Sequence, residues 1–238
     1  MTDRTTARVV GILFIAATVA GVASGMFERS LGAGDYLVRA SSEENLVATG
    51  ALLVLVMAAV VAAISIVLYP VLRRFSERLA MGYVVARTIE GVTFVVSTLG
   101  ALALMTLSRK LVVASTPEAA SLRAVGDTIV AGRDWVDAAL GVAAFCLSAV
   151  MLNYALFRAR LVPRWLSAWG LAGAALYLAA GLMVLYGLGP FSATQNVLDA
   201  PLFVQEMVLA VWLILKGFNV PVTPRIRKAE REPVLVGS

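Results

Sequence analysis

Six apolar runs, each near the length that crosses a bilayer and each bounded by charges or turn residues, constrain this chain more than anything else in it. They cover residues 9–27, 46–69, 79–107, 135–157, 165–188 and 200–218. In hydrocarbon every backbone polar group must be satisfied within the protein, so isolated runs of this length predict helices. The expected fold is all-α, a polytopic bundle of six transmembrane helices whose principal partner is the lipid bilayer. Composition agrees, because 60% hydrophobic and 15% charged residues leave too little polar surface to face water. The connections are short, so residues 1–219 read as a single transmembrane domain. Residues 220–238 carry Pro221, Pro224 and Pro233 among mixed charges and read as a mobile cytoplasmic tail.

The net charge of +5 is a matter of topology. With the N-terminus inside, the cytoplasmic segments hold Arg4 and Arg8, then Arg73, Arg74 and Arg78, then Arg158, Arg160 and Arg164, then Lys216, Arg225, Arg227, Lys228 and Arg231. The opposite side holds only Arg29, Arg39, Arg109, Lys110 and Arg123. Both termini are therefore expected to be cytoplasmic. No basic segment is interleaved with aromatics in the manner of a nucleic-acid surface, so no nucleic-acid partner is expected.

Cys146 is the only cysteine and lies inside the fourth run, which excludes an internal disulfide and a cysteine-bound cluster. The chain has no histidine, which removes the usual catalytic zinc sites, histidine-ligated haem and Ser-His hydrolase chemistry. No cofactor is expected, and the reading leans away from an enzyme.

The first run is read as a retained helix and not a secretory signal, since its apolar length is nearer a full span. Gly21 and Gly25 form a GxxxG pair there, which permits close packing. The cluster Ser41-Ser42-Glu43-Glu44 suits the start of the second helix. Tyr69-Pro70 is expected to stop that helix before the basic turn into the third. Thr116-Pro117-Glu118 reads as a helix start followed by a short amphipathic segment on the membrane surface. Trp165 and Trp169 are placed as interfacial anchors, and Gly187, Gly189, Pro190 and Pro201 as breakers of the last outer loop.

An ionisable group at membrane depth costs several kcal/mol, so Arg87, Glu90, Arg133, Asp134, Asp137 and Glu206 are the informative positions. Arg87 and Glu90 are three apart and Arg133 and Asp137 four apart, spacings that share a helix face. Asp134 points elsewhere. The third, fourth and sixth helices are thus expected to share a polar centre of Arg87, Glu90, Arg133, Asp134 and Glu206 that binds a small ligand or a membrane-protein partner. Two readings stay open: the charges pair between helices and fix register, or they line a site or proton path of a small ion- or proton-coupled transporter. Ser97 and Thr98 are read as packing.

Several of these residues, with others spread along the chain, carry a resemblance. Leu68-Tyr69-Pro70-Val71-Leu72, Arg87 with Glu90, Arg133-Asp134-Trp135, the turn from Leu161 through Ser167 with Trp169-Gly170, and Glu206-Met207 with Trp212 and Lys216-Gly217-Phe218-Asn219 resemble the bacterial membrane family known as domain of unknown function 4386. The resemblance implies a multi-pass protein of the bacterial plasma membrane and brings no assigned activity. Asp137 departs from that family's pattern, where an uncharged residue is usual, and is not carried into the shared site.

The asymmetry of basic residues makes topology testable. In a chain freed of Cys146, an impermeant thiol reagent added outside should label a cysteine at position 34 or 193 and miss one at position 76. The reverse labelling would invert the orientation.

Overall fold

The computed structural model describes residues 2–27, 36–190 and 192–219. The expected tail, residues 220–238, lies outside the described residues, as do residues 28–35 of the first connection. Among the described residues eight α-helices follow one another: α1 (Asp3–Phe27), α2 (Tyr36–Ser42), α3 (Glu44–Leu72), α4 (Glu77–Leu111), α5 (Thr116–Trp135), α6 (Val142–Ala159), α7 (Arg164–Leu185) and α8 (Ala193–Leu215). A π-helical turn, Val136–Gly141, joins α5 to α6 without a break. Six helical stretches among the described residues are long and apolar enough to cross a membrane: α1, α3, α4, the continuous Thr116–Ala159, α7 and α8.

These six close into a ring in chain order: α1 packs on α3, α3 on α4, α4 on α6, α6 on α7, α7 on α8, and α8 back on α1. Outward faces carry large apolar side chains open to the surroundings, among them Val19, Ile66, Leu99, Leu140 and Leu176. Such a belt would aggregate in water and is what lipid requires.

Inside the ring, packing is unequal along its length. Val10, Ile64, Leu68, Tyr83, Leu152, Leu156, Leu166, Leu209 and Leu213 form the main core. They come from the first half of α1, the last half of α3, the start of α4, the end of α6, the start of α7 and the end of α8. These positions all lie toward the end of the ring that bears Arg73, Arg78 and Arg164. That end is filled, and the other is not. Gly11 sets the closure of α8 on α1, since a Cβ there would lie 2.5 Å from the Ala210 carbonyl oxygen. Gly25, farther along α1, has open space in front of it. The seam between α1 and α8 is tight at one end and slack at the other.

The residues after α8 tie down the turn between α6 and α7. The Asn219 backbone N–H donates to Leu161 O at 2.7 Å and its side-chain amide to Arg160 O at 3.2 Å. Gly217 makes the return possible with φ +77, a conformation that side chains resist. At the opposite end, α2 lies on α3 and α4 through Leu37, Ala40, Val47, Ala101 and Leu104. There Ser108 Oγ donates to the Leu37 carbonyl, and Tyr36 donates to Asp127 at 2.7 Å. Burial, together with that hydrogen bond to Asp127, pushes the Tyr36 phenol above its ordinary value and keeps it a donor.

Four local expectations are corrected. Pro70 lies within the last turn of α3 and does not stop it, because α3 continues to Leu72. Pro201 lies inside α8, which begins at Ala193, and not in a loop. Ser41 and Ser42 donate to Val38 O and Arg39 O at the end of α2, leaving Glu43 to precede α3 without a side-chain cap. The segment from Thr116 is not a separate short helix, because it runs through the π turn into α6 without a break.

A polar staple crosses the packed half. Gln205 Nε2 donates to Asn153 Oδ1 and to Leu166 O, both at 3.2 Å, while Asn153 Nδ2 donates to Ala149 O at 2.9 Å. Gly170 makes room for it, because a Cβ there would land on the Asn153 amide. Gly170→Ala should therefore destabilise the protein by about 1–3 kcal/mol, as overpacking does. Thermal melts in detergent should show the loss, and Asn153→Ala added to Gly170→Ala should recover part of it. A single variant that melts like the parent would mean the staple has slack.

Candidate functional site

Three α4 side chains at i, i+4 and i+7, Tyr83, Arg87 and Glu90, share one helix face that points into the ring. Arg87 is 2% and Glu90 3% exposed, so neither reaches bulk solvent. Arg87 Nη1 donates to both Glu90 oxygens at 3.0 and 3.1 Å, Nε donates to the Tyr83 hydroxyl at 3.2 Å, and Nη2 donates to Glu206 Oε1 on α8 at 3.3 Å. From α6, Ser148 Oγ donates to Glu90 Oε2 at 3.4 Å. The rings of Phe14, Tyr83 and Phe145 stand 5.7, 5.6 and 5.4 Å from the guanidinium carbon. Arg87 thus sits in a cage of aromatic faces and carboxylates drawn from α1, α4, α6 and α8.

A second cluster lies two helical turns farther along the same face of α4, about 10 Å away at 1.5 Å per residue. Ser97 Oγ donates to Asp137 Oδ2 at 2.8 Å and accepts from Arg133 Nε at 3.4 Å. Gly100 admits the arginine, since a Cβ there would lie 2.6 Å from Arg133 Cγ. The π turn aims this cluster. Asp137, Gly141 and Phe145 all line the same interior wall at spacings of four, which in an uninterrupted α-helix drift by about 40° per step. The wider turn over Val136–Gly141 offsets that drift.

Of the residues expected to form one polar centre, the structure joins Arg87, Glu90 and Glu206 in one ion-paired group and sets Arg133 apart from them, beside Ser97. Asp134 is half-buried and off the interior wall, and Asp137 occupies that wall instead. Ser97 bridges Arg133 and Asp137 and is more than packing. One acid escaped the sequence reading: Asp199 on α8 is 8% exposed, and its Oδ1 has no hydrogen-bond partner. It lies seven residues before Glu206, on the same helix face. The signal was its place ahead of an apolar run, masked by Pro201.

Both clusters face a cavity of about 1050 Å³ in the unfilled half of the ring. Its walls are mainly apolar: Ala17, Thr18 and Gly21 of α1, Val54, Met57 and Val61 of α3, Phe94 of α4, Phe145, Tyr177, and Phe203 of α8. The core closes it beneath Arg87. It opens sideways where α1 and α8 diverge, because the wall residues Val22 and Val204 are among the exposed apolar side chains. The same space continues along α8 past Val211 to Lys216, toward the end of the ring that the core fills. Among the described residues no group of three acidic or sulfur ligands is placed to hold a metal ion.

Helices of this length and apolarity around a buried charged cluster define a multi-pass integral membrane protein. The chain matches the family described as "Domain of unknown function (DUF4386)" over residues 9–217, and it belongs to that family. Comparison with curated proteins and with solved structures returns no significant match.

The cage makes Arg87 the costliest of these charges to lose. Arg87→Ala leaves Glu90 and Glu206 facing each other in low dielectric, a break that costs about 3–5 kcal/mol in soluble proteins. Its detergent melting temperature should fall well below that of Arg133→Ala, whose cluster lies in a half-buried position. Equal melts would show that the aromatic cage and ion pairs contribute little to holding the ring.

Proposed function

We propose that this protein is a non-enzymatic protein of the bacterial plasma membrane that binds a small amphipathic ligand in its lumen. The ligand's apolar body lies against the α1, α3 and α8 walls, and its polar group reaches the floor formed by Arg87, Glu90 and Glu206. The single observation that carries this reading is the cavity, whose volume of about 1050 Å³ stands at the upper end of the range occupied by small-molecule sites. The space is open between α1 and α8, and its mainly apolar walls with a few converging charged groups are the make-up of a small-molecule site. The basic asymmetry supports cytoplasmic termini, which puts the closed core on the cytoplasmic side and the lumen toward the outside.

A through-going channel fits poorly, because the main core fills the ring beneath the charged floor. A membrane-protein partner would cover the opening between α1 and α8 and leave the deeper charged floor untouched. The alternative reading is a small ion- or proton-coupled transporter, favoured by the carboxylates that line the lumen at membrane depth.

Amphiphiles with one tail and a cationic, zwitterionic or anionic head supply the test. At least one should raise the detergent melting temperature saturably, and filling the lumen with Thr18→Trp and Val61→Trp should abolish the shift while the protein still elutes as one folded species. No shift from any head group, or a shift that survives the filled lumen, would end the proposal. Proteoliposomes that move protons with a solute, and stop when Glu90→Gln is introduced, would decide for transport.

A further inference from the structure

The geometry points to a lipophilic cation as the occupant, with its positive centre against the Glu206 carboxylate; this rests on the lumen being a ligand site. Three observations carry it. The first is charge. The floor group contains one guanidinium and two carboxylates, Arg87 against Glu90 and Glu206, and is formally one negative charge in excess. In low dielectric an uncompensated charge is expensive, so the floor is complementary to one more positive charge, which a proton or a bound cation supplies. The second cluster does not supply it, because Arg133 and Asp137 cancel formally. Lys216 lies at the exposed end of the space along α8.

The second observation is which acid faces the space. The Glu206 side chain is 12% exposed, whereas those of Arg87 and Glu90 are 3% and 4%. Arg87 gives two hydrogen bonds to Glu90 and reaches Glu206 through Oε1. Glu206 is therefore the floor's acceptor toward the lumen, and Arg87 is turned inward onto Glu90 and Tyr83.

The third is the wall beside that acceptor. Phe203 precedes Glu206 by three residues and so shares its face of α8. Its ring stacks on Phe145 at 6.2 Å and meets Tyr177 edge-on at 5.7 Å, while Phe145 meets Tyr177 at 5.1 Å. A continuous aromatic surface next to a carboxylate is the recognition chemistry of an organic cation, which gains from ring faces and an anion together. The same chemistry already holds the protein's own cation, Arg87, over the ring of Phe145. An anionic head would meet an excess carboxylate and be repelled.

Tetraphenylphosphonium and tetraphenylborate have nearly one size and shape and opposite charge, so they isolate this point. Equilibrium binding to the full chain in a neutral detergent should show saturable binding of the phosphonium and at least about tenfold weaker binding of the borate. Glu206→Gln keeps a carbonyl oxygen for Arg87 and should fold, yet weaken the phosphonium about tenfold or more. Glu206→Asp should weaken it less, and Phe203→Leu should weaken it several-fold without the charge change. Borate binding as well as phosphonium, or Glu206→Gln retaining full affinity, would overturn the inference. So would failure of both ions where some amphiphile still stabilises the protein through the lumen, and that result would leave the binding reading standing. A protein that no amphiphile stabilises would remove both.

Discussion

The arrangement of the ring depends on one problem: a guanidinium that cannot shed its proton has been placed where water cannot solvate it. Arg87 lies in the interior half of a transmembrane helix and is 2% exposed. Every other polar group in the span has an escape, since a hydroxyl can bond its own backbone and a carboxyl can take a proton. Arginine has neither, so its donors must be met by groups in fixed positions. The fold meets them with Glu90 and Tyr83 on the same helix and Glu206 from α8, and it faces the flat guanidinium with rings from α1 and α6. Four of the six spans are thereby tied to one atom group, and two of them, α1 and α8, are the chain's first and last.

That tie explains where the core stops. Below Arg87 the ring is filled by Val10, Ile64, Tyr83, Leu152 and Leu209, packed as in a soluble interior. Above it, a dense apolar filling would have to cover the charged floor and desolvate it further. Keeping space in front of Glu206 leaves the floor accessible to a compensating group. The small residues of the α1 seam divide in the same manner. Gly11 closes α1 on α8 level with the core, while Gly21 meets only a methionine side chain and Gly25 meets nothing. Close backbone approach is used where the ring must be shut, and it is absent where a ligand would enter.

The spans were legible because lipid enforces apolarity over lengths that no loop shares, and the pairing of Arg87 with Glu90 was legible because a spacing of three is a local property of one helix. What was not legible is what depends on phase or on distance. The helical period already put Asp137 on the face of Arg133 and turned Asp134 away, and Asp137 was set aside only for departing from the family's pattern; what the period could not give is the π turn at Val136–Gly141, which keeps Gly141 and Phe145 on that wall. Asp199 was hidden by Pro201, which reads as a breaker but sits within α8, where it removes one backbone donor and is carried by the helices around it. Gly100 and Gly170 look like ordinary small residues of a membrane helix. Their roles, admitting the Arg133 stem and the Asn153 amide, exist only once two other helices are in place. Asn219 likewise gains its meaning from the distant carbonyls of Arg160 and Leu161.

The distribution of polarity inside the lumen has a directional consequence. Arg87, Glu90 and Ser97 all belong to one stripe of α4, and Asp137 and Glu206 flank it from the neighbouring spans, while the α1 and α3 walls opposite offer Ala17, Thr18, Val54 and Val61. A molecule entering between α1 and α8 therefore crosses apolar surface first and meets charge only at full depth. An amphiphile can satisfy that order in one orientation alone, head inward and body toward the opening. Reversing it would leave the head against α1 with no partner and the tail on a desolvated ion group, and both errors are penalised. Under the proposed binding of an amphiphile, orientation would be imposed by the stripe and not by the shape of the cavity, so residues that keep the stripe in phase, the π turn and Gly100 among them, would bear on selection without touching the ligand.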